Sequence, residues 1–349
     1  MTRRTFQALA LGAGASALAQ SNPAGGAKPI RIGQIGTRHA HAGGQLAALR
    51  KCPDFEVLGV VEPDEAQRKK AAASEDYAGV PWLTEEQLLN TPGLQAVAVE
   101  TDVKELLPTA EKVVNAGLHL HLDKPAGESL EHFKRILDTA TEKHRLVKMG
   151  YMFRYNPAFE FALKAMREGW LGEVFMIHGE MSKQLSEAER ARMLPYPGGS
   201  MFELGCHLMD SLVRFLGKPE KVTPHIIRSK EDRWPDNMLA VLDYPKATVT
   251  LRSAMIESQG GPRRQFIVSG DRGTIEIRPL EPPVVKLLLD RPQSTFRKGS
   301  QDVAMPNAPR YLADWFDFAK AIRGEKPWEF TPAHDLAVQE SVLKASGMI

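Results

Sequence analysis

The sequence predicts an α/β protein whose N-terminal half is a doubly wound parallel sheet of Rossmann type and whose C-terminal half is a second, α+β domain. Three observations predict it. Short apolar strands alternate with amphipathic helices from Ile30 to Met149, as in a parallel sheet covered by helices on both faces. The first strand runs into Gly36, a turn residue at the sheet edge where such folds bind ligands. The chain is 349 residues long, which exceeds one typical domain of roughly 150.

Residues 1–19 read as an address ahead of the fold. Arg3 and Arg4 precede a Gly- and Ala-rich apolar run and an Ala17-Leu18-Ala19 cleavage site, which resembles a twin-arginine signal and implies export, most simply to the periplasm. The run is about 14 residues, short of the ~20 that span a bilayer, so no membrane anchor is expected in the mature chain. That export route carries folded proteins, and a tightly held cofactor is therefore expected. Residues 20–28, with Pro23 and Gly25-Gly26, read as a flexible linker.

Within residues 29–149 the first strand is Ile30–Ile35, and a helical pattern follows through Leu46 and Leu49. Phe55–Val61 is a strand, Asp64 to Ser74 a helix and Ala96–Val99 a fully apolar strand. A helix near Leu106 to Ala116, a strand at His119–Leu122, a helix around Leu130 to His144 and a strand at Leu146–Met149 complete the series. In residues 150–349 a helix from Pro157 to Arg167 is followed by a strand over Glu173–His178. Strands at Met238–Tyr244, Ala247–Met255, Gln265–Ser269 and Thr274–Arg278 come next. The last two flank Gly270-Asp271-Arg272-Gly273, a hairpin signal. Helices near Tyr311–Arg323 and His334–Ala345 end the chain.

Charge excludes some classes of function. Lys and Arg total 45 against 43 acids, scattered without a basic stripe, so a nucleic-acid partner is not expected. Loss of Arg3 and Arg4 with the signal takes the formal charge from +2 to 0. Cys52 and Cys206 are too few for a disulfide framework or a thiolate metal site.

Three strand ends carry chemistry. A dinucleotide fingerprint places glycine at the first, third and sixth turn positions, and these are Gly36, Arg38 and His41 here. Arg38 either obstructs the approach of backbone to pyrophosphate or pairs with phosphate oxygens itself. Glu62, 26 residues beyond Gly36, suits two free ribose hydroxyls and repels a 2′-phosphate, which favours NAD over NADP. His39 and His41 invite a metal reading, but with no third partner evident they read as a helix-entry detail, and no metal is expected. At Asp123-Lys124-Pro125 the proline restricts the backbone before it and gives Lys124 a defined direction at the sheet edge.

The order of these motifs, with Val99-Glu100-Thr101, Gly150 to Pro157 and Gly198 to Asp210, resembles the Gfo/Idh/MocA family, the glucose-fructose oxidoreductase and inositol dehydrogenase relatives. The resemblance runs from about Ile30 to the C-terminus. It implies a Rossmann domain followed by a domain built on a large, mostly antiparallel open sheet, with homo-oligomers expected. It also implies hydride exchange between NAD(P) and a carbon of a sugar, polyol or glycoside, with Lys124 and His207 as the family's lysine and histidine. The expected cofactor contacts are Gly36, Thr37, Arg38, His39, Glu62, Thr101, Asp123 and Lys124. Glu203 stands where Asp is common, Asp123 where Glu is common, and Asp102 where proline is frequent.

Glu203 and His207 are four apart in a stretch of helical period, so both can share one face, with the carboxylate orienting the imidazole. His207 is then a proton acceptor for a substrate hydroxyl, and Lys124 stabilises negative charge on the same oxygen. Glu203 with His207 is alternatively half a metal site completed by His178 or Glu180. Tyr151, Arg154, Asn156 and His178 are candidate substrate contacts. Trp315, Phe316 and Phe318 read as packing. Two rivals share the fold: a transient oxidation with a retained cofactor that drives hydrolysis, elimination or epimerisation, and an inert sugar- or nucleotide-binding protein.

Overall fold

The computed structural model describes residues 27–349; the expected export signal and most of the expected linker lie outside the described residues. The N-terminal part interleaves β1 (Ile30–Ile35), α1 (Ala42–Lys51), β2 (Phe55–Val61), α2 (Glu65–Ala72), β3 (Trp82–Leu83), α3 (Glu85–Leu89), β4 (Ala96–Val99), α4 (Val103–Asn115), β5 (His119–Leu122), α5 (Leu130–Glu142) and β6 (Val147–Met149). All six strands are parallel, in the order β3-β2-β1-β4-β5-β6. The chain reverses direction of growth between β1 and β4, which opens a crevice at their carboxyl ends. Strands β4 and β5 are buried along their whole length, which accounts for the unbroken apolar run Ala96–Val99. Helices α2, α3 and α5 start at Asp64, Thr84 and Ser129, whose side chains accept from the first-turn amides. The two-residue β3 and five-residue α3 are too short to leave a period in the sequence.

The second part continues with α6 (Pro157–Arg167), β7 (Val174–Glu180), α7 (Glu187–Met193), a π turn at Met201–Gly205 and α8 (Cys206–Leu216). Then follow β8 (Lys221–Ile227), β9 (Asn237–Asp243), β10 (Thr248–Ala254), α9 (Gly260–Arg263), β11 (Gln265–Gly270), β12 (Gly273–Leu280), β13 (Pro283–Leu289), β14 (Gly299–Val303), α10 (Leu312–Ile322) and α11 (Pro332–Ala345). Eight strands form one open sheet in the order β14-β13-β12-β11-β7-β10-β9-β8, antiparallel except for the β7–β10 pair. The sequence pattern does not show β8, β13 and β14. Pro224 lies inside β8, which is tolerated because that strand is at the sheet edge, and β14 (Gly-Ser-Gln-Asp-Val) is mostly polar at the opposite edge.

The C-terminal helices return to the first domain. Trp315 of α10 meets Phe55 and His121 edge-on, with ring centroids 5.4 and 5.0 Å away, and Trp328 Nε1 donates to Val147 O at 3.0 Å. Gln339 of α11 accepts from Ala126 N and donates to Gly127 O. One apolar core therefore runs through both sheets, with α10 packed across β2 and β5 and α11 against the loop that follows β5.

Candidate functional site

The crevice is built on the turns that follow β1, β2, β4 and β5. Gly36 has φ +92°, and a Cβ there would lie 2.7 Å from the carbonyl carbon of Glu100 and the amide of Thr101. Only glycine lets the β1 turn approach β4 so closely. Thr37 donates to Glu62 Oε2 from its amide (3.1 Å) and its hydroxyl (2.7 Å), and Asp64 N donates to Oε1 at 3.2 Å. A carboxylate has about four acceptor sites, so Glu62 retains capacity for one further donor. Arg38 crosses the mouth of the crevice, with Nη2 2.6 Å from Asp64 and Nε 3.7 Å from Asp102.

These observations test the fit of a dinucleotide. The positive-φ Gly36, the buried Glu62 at the end of β2 and Thr101 beside the turn have the types and places that the ribose end needs. Arg38 stands where a second glycine would admit the pyrophosphate, and its half-exposed guanidinium is the group there able to meet phosphate oxygens. The residues fit, with a phosphate contact made by a side chain in place of a glycine.

Behind the turn lies a buried polar chain. His39 Nδ1 is 2.6 Å from Asp123 Oδ2, His39 Nε2 is 2.9 Å from the Lys124 carbonyl, and His41 Nδ1 is 3.2 Å from Asp123 Oδ1. Glu100 reaches His121 at 3.0 Å, and His121 reaches Lys148 Nζ at 3.2 Å. Burial and the adjoining Asp123 carboxylate push Glu100 well above the carboxylate range. Burial acts upward on Asp123 too, but His39 and His41 hold it well below that range. Burial also lowers Lys148, to about 8. Glu100, His121 and Lys148 were not singled out as site residues from sequence; charged residues inside strands of a two-sided parallel sheet are the signal that finds them.

Lys124 is buried, and its ammonium donates to Glu203 O at 2.8 Å and Glu203 Oε1 at 3.2 Å. Two of its three donors are used, which leaves one for a ligand oxygen. Burial alone would depress it, but the Glu203 carboxylate carries it above the ordinary lysine range. It is therefore a fixed cation. The thiol of Cys206, pushed by burial to about 12, is inert beside it.

The expected Glu203–His207 pair does not form. Residues 201–205 make a π turn, whose rotation per residue differs from that of an α-helix, and Glu203 faces Lys124. His207 Nδ1 instead accepts from Met152 N at 3.4 Å. Burial, then the charge of Lys124, holds His207 well below the usual histidine range, so the ring is neutral. The metal reading of Glu203 and His207 fails with the pair. His178 bonds Thr250 and, with Met176, faces the side of β7 opposite to Gly179, whose Cβ position meets Leu208 of α8. Glu180 is paired with Arg252.

Two other expected substrate contacts are structural. Arg154 is buried, its Nη2 2.7 Å from Asp210 and 2.5 Å from Asp335, with its guanidinium 3.8 Å from the Phe330 ring centroid. Its Nη1 has no partner but is sealed from solvent, so the guanidinium serves the two carboxylates and not a ligand. His178 is excluded by the sheet face it occupies. Asn156 caps α6 by accepting from Ala158 N at 3.0 Å, yet it also lines a cavity of about 400 Å³ with Met152, Tyr155, Arg310, Tyr311 and Asp314. Tyr151 packs edge-on to His207 at 6.3 Å, and its hydroxyl is buried with no partner. Trp315 and Phe318 are core residues.

Tyr311 is the site residue with no signal in the sequence. It reaches the crevice from the far end of the chain, 5.8 Å from the His41 ring and against Gly44 in the first turn of α1. His41 in turn lies 5.5 Å from His207. Among the described residues no helix is long and apolar enough to cross a membrane.

Comparison with known proteins agrees with this layout. Residues 30–151 match the model of an oxidoreductase family with an NAD-binding Rossmann fold, and residues 159–276 match the GFO/IDH/MocA C-terminal domain. The uncharacterized oxidoreductase YdgJ of Escherichia coli K12 is 25% identical over 74% of this chain and 74% of its own. The scyllo-inositol 2-dehydrogenase (NADP(+)) IolW of Bacillus subtilis is 26% identical over 52% of this chain and 51% of its own. A putative NADPH-dependent oxidoreductase of Desulfitobacterium hafniense superposes with a TM-score of 0.80 at 18% identity, over 92% of this chain and 96% of that one. The N-terminal and C-terminal matches, in that order and on these two sheets, place this chain in the GFO/IDH/MocA family of oxidoreductases.

Proposed function

We propose that the protein is an NAD-dependent oxidoreductase acting on a hydroxyl-bearing carbon of a sugar, polyol or glycoside, exported by the twin-arginine route. The observation that carries this reading is the convergence of a permanent ammonium, Lys124, and a neutral imidazole, His207, at the carboxyl edge of the dinucleotide sheet. The chemistry a nicotinamide supplies there when bound is two-electron exchange with a carbon. Gly36, Thr37, Glu62 and Thr101 would hold its adenosine side and Arg38 its phosphates. The carboxylate of Glu62 disfavours a 2′-phosphate, although IolW and other relatives carry NADP(+) in their names.

Lys124 offers its third N–H to the substrate oxygen and stabilises charge that develops there. His207 takes or returns the proton of that oxygen. Its Nδ1 is the acceptor of the Met152 amide, so the resting tautomer carries hydrogen on Nε2; accepting a proton at Nε2 requires the other tautomer. That change gives up a long bond of 3.4 Å, worth at most about 1 kcal/mol. The cavity that shares Met152 and Tyr311 with the crevice has the size of a small-molecule site.

A second reading, in which the nucleotide is retained and the reaction has no net redox change, is favoured by one contact. Tyr311 closes against the first turn of α1, over the end where phosphates bind. Release of reduced nucleotide during turnover separates the two readings. The test of the site is Lys124→Met assayed against a panel of sugars and glycosides. Turnover falls by ~10²–10⁴-fold with nucleotide binding retained; unchanged turnover removes the lysine from the chemistry.

A further inference from the structure

The turn that departs from the glycine pattern assembles a ligand set of another kind. We propose that His39, His41, Asp123 and Glu100 bind a divalent transition-metal ion of the zinc class at the floor of the crevice.

One ligand atom from each of His39, His41 and Asp123 lies within 4.8 Å of the others. The hydrogen bonds around His39 define its lone pair. Its Nε2 is 2.9 Å from the Lys124 carbonyl oxygen, which only accepts, so Nε2 bears the hydrogen. The amide of His41 points at His39 Nδ1 at 3.3 Å, so Nδ1 is an acceptor. That acceptor nitrogen nevertheless lies 2.6 Å from Asp123 Oδ2, a fully buried oxygen with no hydrogen-bond donor. Two acceptors so placed repel unless a positive charge lies between them, either a proton that makes His39 an imidazolium or a metal ion that displaces it.

Glu100 gives an independent sign. Its Oε2 is completely buried, has no donor from any other group, faces the Asp123 carboxylate with which it shares a proton, and lies 3.8 Å from the same His39 nitrogen, so a divalent ion would replace that proton. His41 Nδ1 stands 3.2 Å from the other Asp123 oxygen. Donor atoms around a tetrahedral ion at about 2.0–2.2 Å are separated by roughly 3.4 Å. The distances of 2.6, 3.2 and 3.8 Å bracket that value, so small side-chain movements complete the sphere.

Two imidazoles with two carboxylates suit zinc and its neighbours better than calcium, which prefers oxygen alone. The outer contacts are those of a metal centre as well. His39 is held by a backbone carbonyl, and Glu100 by His121, which is in turn held by Lys148. The contrast with Asp210, His334 and Asp335 is instructive. Those three atoms are equally close, but the guanidinium of Arg154 already lies on both carboxylates and supplies the positive charge.

The inference is independent of the nucleotide and sugar reading, because neither ligand is needed to measure it. The mature protein, stripped with a chelator, is titrated with Zn²⁺ by calorimetry and with Co²⁺ by visible absorption. The expected result is one ion per chain, with affinity reduced by at least ~100-fold in His41→Ala and in Glu100→Gln, and the Co²⁺ spectrum altered in both. His41 lies at the edge of the cluster and is the variant best able to keep the fold, which circular dichroism checks. No stoichiometric Zn²⁺ uptake by the wild type overturns the proposal. So does uptake with the same affinity and the same Co²⁺ spectrum in folded His41→Ala.

Discussion

Arg154 shows how a residue's environment decides its role. From the sequence it is a polar residue at the domain junction, equally suited to ligand and to scaffold. In the fold its guanidinium lies between Asp210 and Asp335 and against Phe330, with no exposed face. Burial works against ionised Asp210, but Arg154 and His334 bring it down to about 2. Arg154→Met would leave two buried carboxylates without their cation. The expected loss is about 3–5 kcal/mol of stability, read by urea unfolding at pH 7. A substrate contact would instead leave stability unchanged and raise KM. Lys124 is the opposite case: one residue, Glu203, holds it and a third donor remains for a ligand oxygen. The sequence offered both as cations beside motifs, and what separates them is the number of carboxylates around each, two buried ones on Arg154 against the single Glu203 on Lys124.

At the scale of elements, most strands and helices were legible because each buries either one consistent face or, as in β4, its whole length. The apolar run of β4 and the capped starts of α2 and α5 are local properties. The Glu203–His207 pair was not legible, since an α-helix and a single π turn have the same apolar pattern but aim Glu203 differently. The third metal ligand was hidden for a related reason. Asp123 belongs to a motif 82 residues beyond His41, and only the pairing of β1, β4 and β5 brings them together.

Strand β5 also makes a prediction about acid. It buries His119 and His121, and burial lowers His119 to about 4, with Arg145 adding to the effect. Between the ordinary value of about 6.5 and that value the unfolded chain holds a proton that the folded chain does not. The folded state is therefore fully favoured above about pH 6.5 and loses stability as pH falls from there towards about 4. His119 alone contributes a loss on the order of 3 kcal/mol across this window. Urea midpoints at pH 7, 5.5 and 4.5 check it; a flat profile would contradict the burial of these imidazoles.

For the whole molecule, the division into two domains along the chain is only half of the architecture. Residues 311–349 come last in sequence but pack back on the first domain, Trp315 against β2 and β5, Trp328 against β6 and Gln339 against the loop after β5. The same return carries Tyr311 onto α1. A crevice assembled from both ends of the chain is complete only when the whole chain has folded, which suits the folded export expected from residues 1–19. The measurement that tests the account most directly is mass spectrometry of the nucleotides released on denaturing the mature protein after incubation with equimolar NAD and NADP, with excess removed. The account predicts NAD at close to one per chain and little NADP. Release of neither nucleotide, or of NADP in preference, would contradict it.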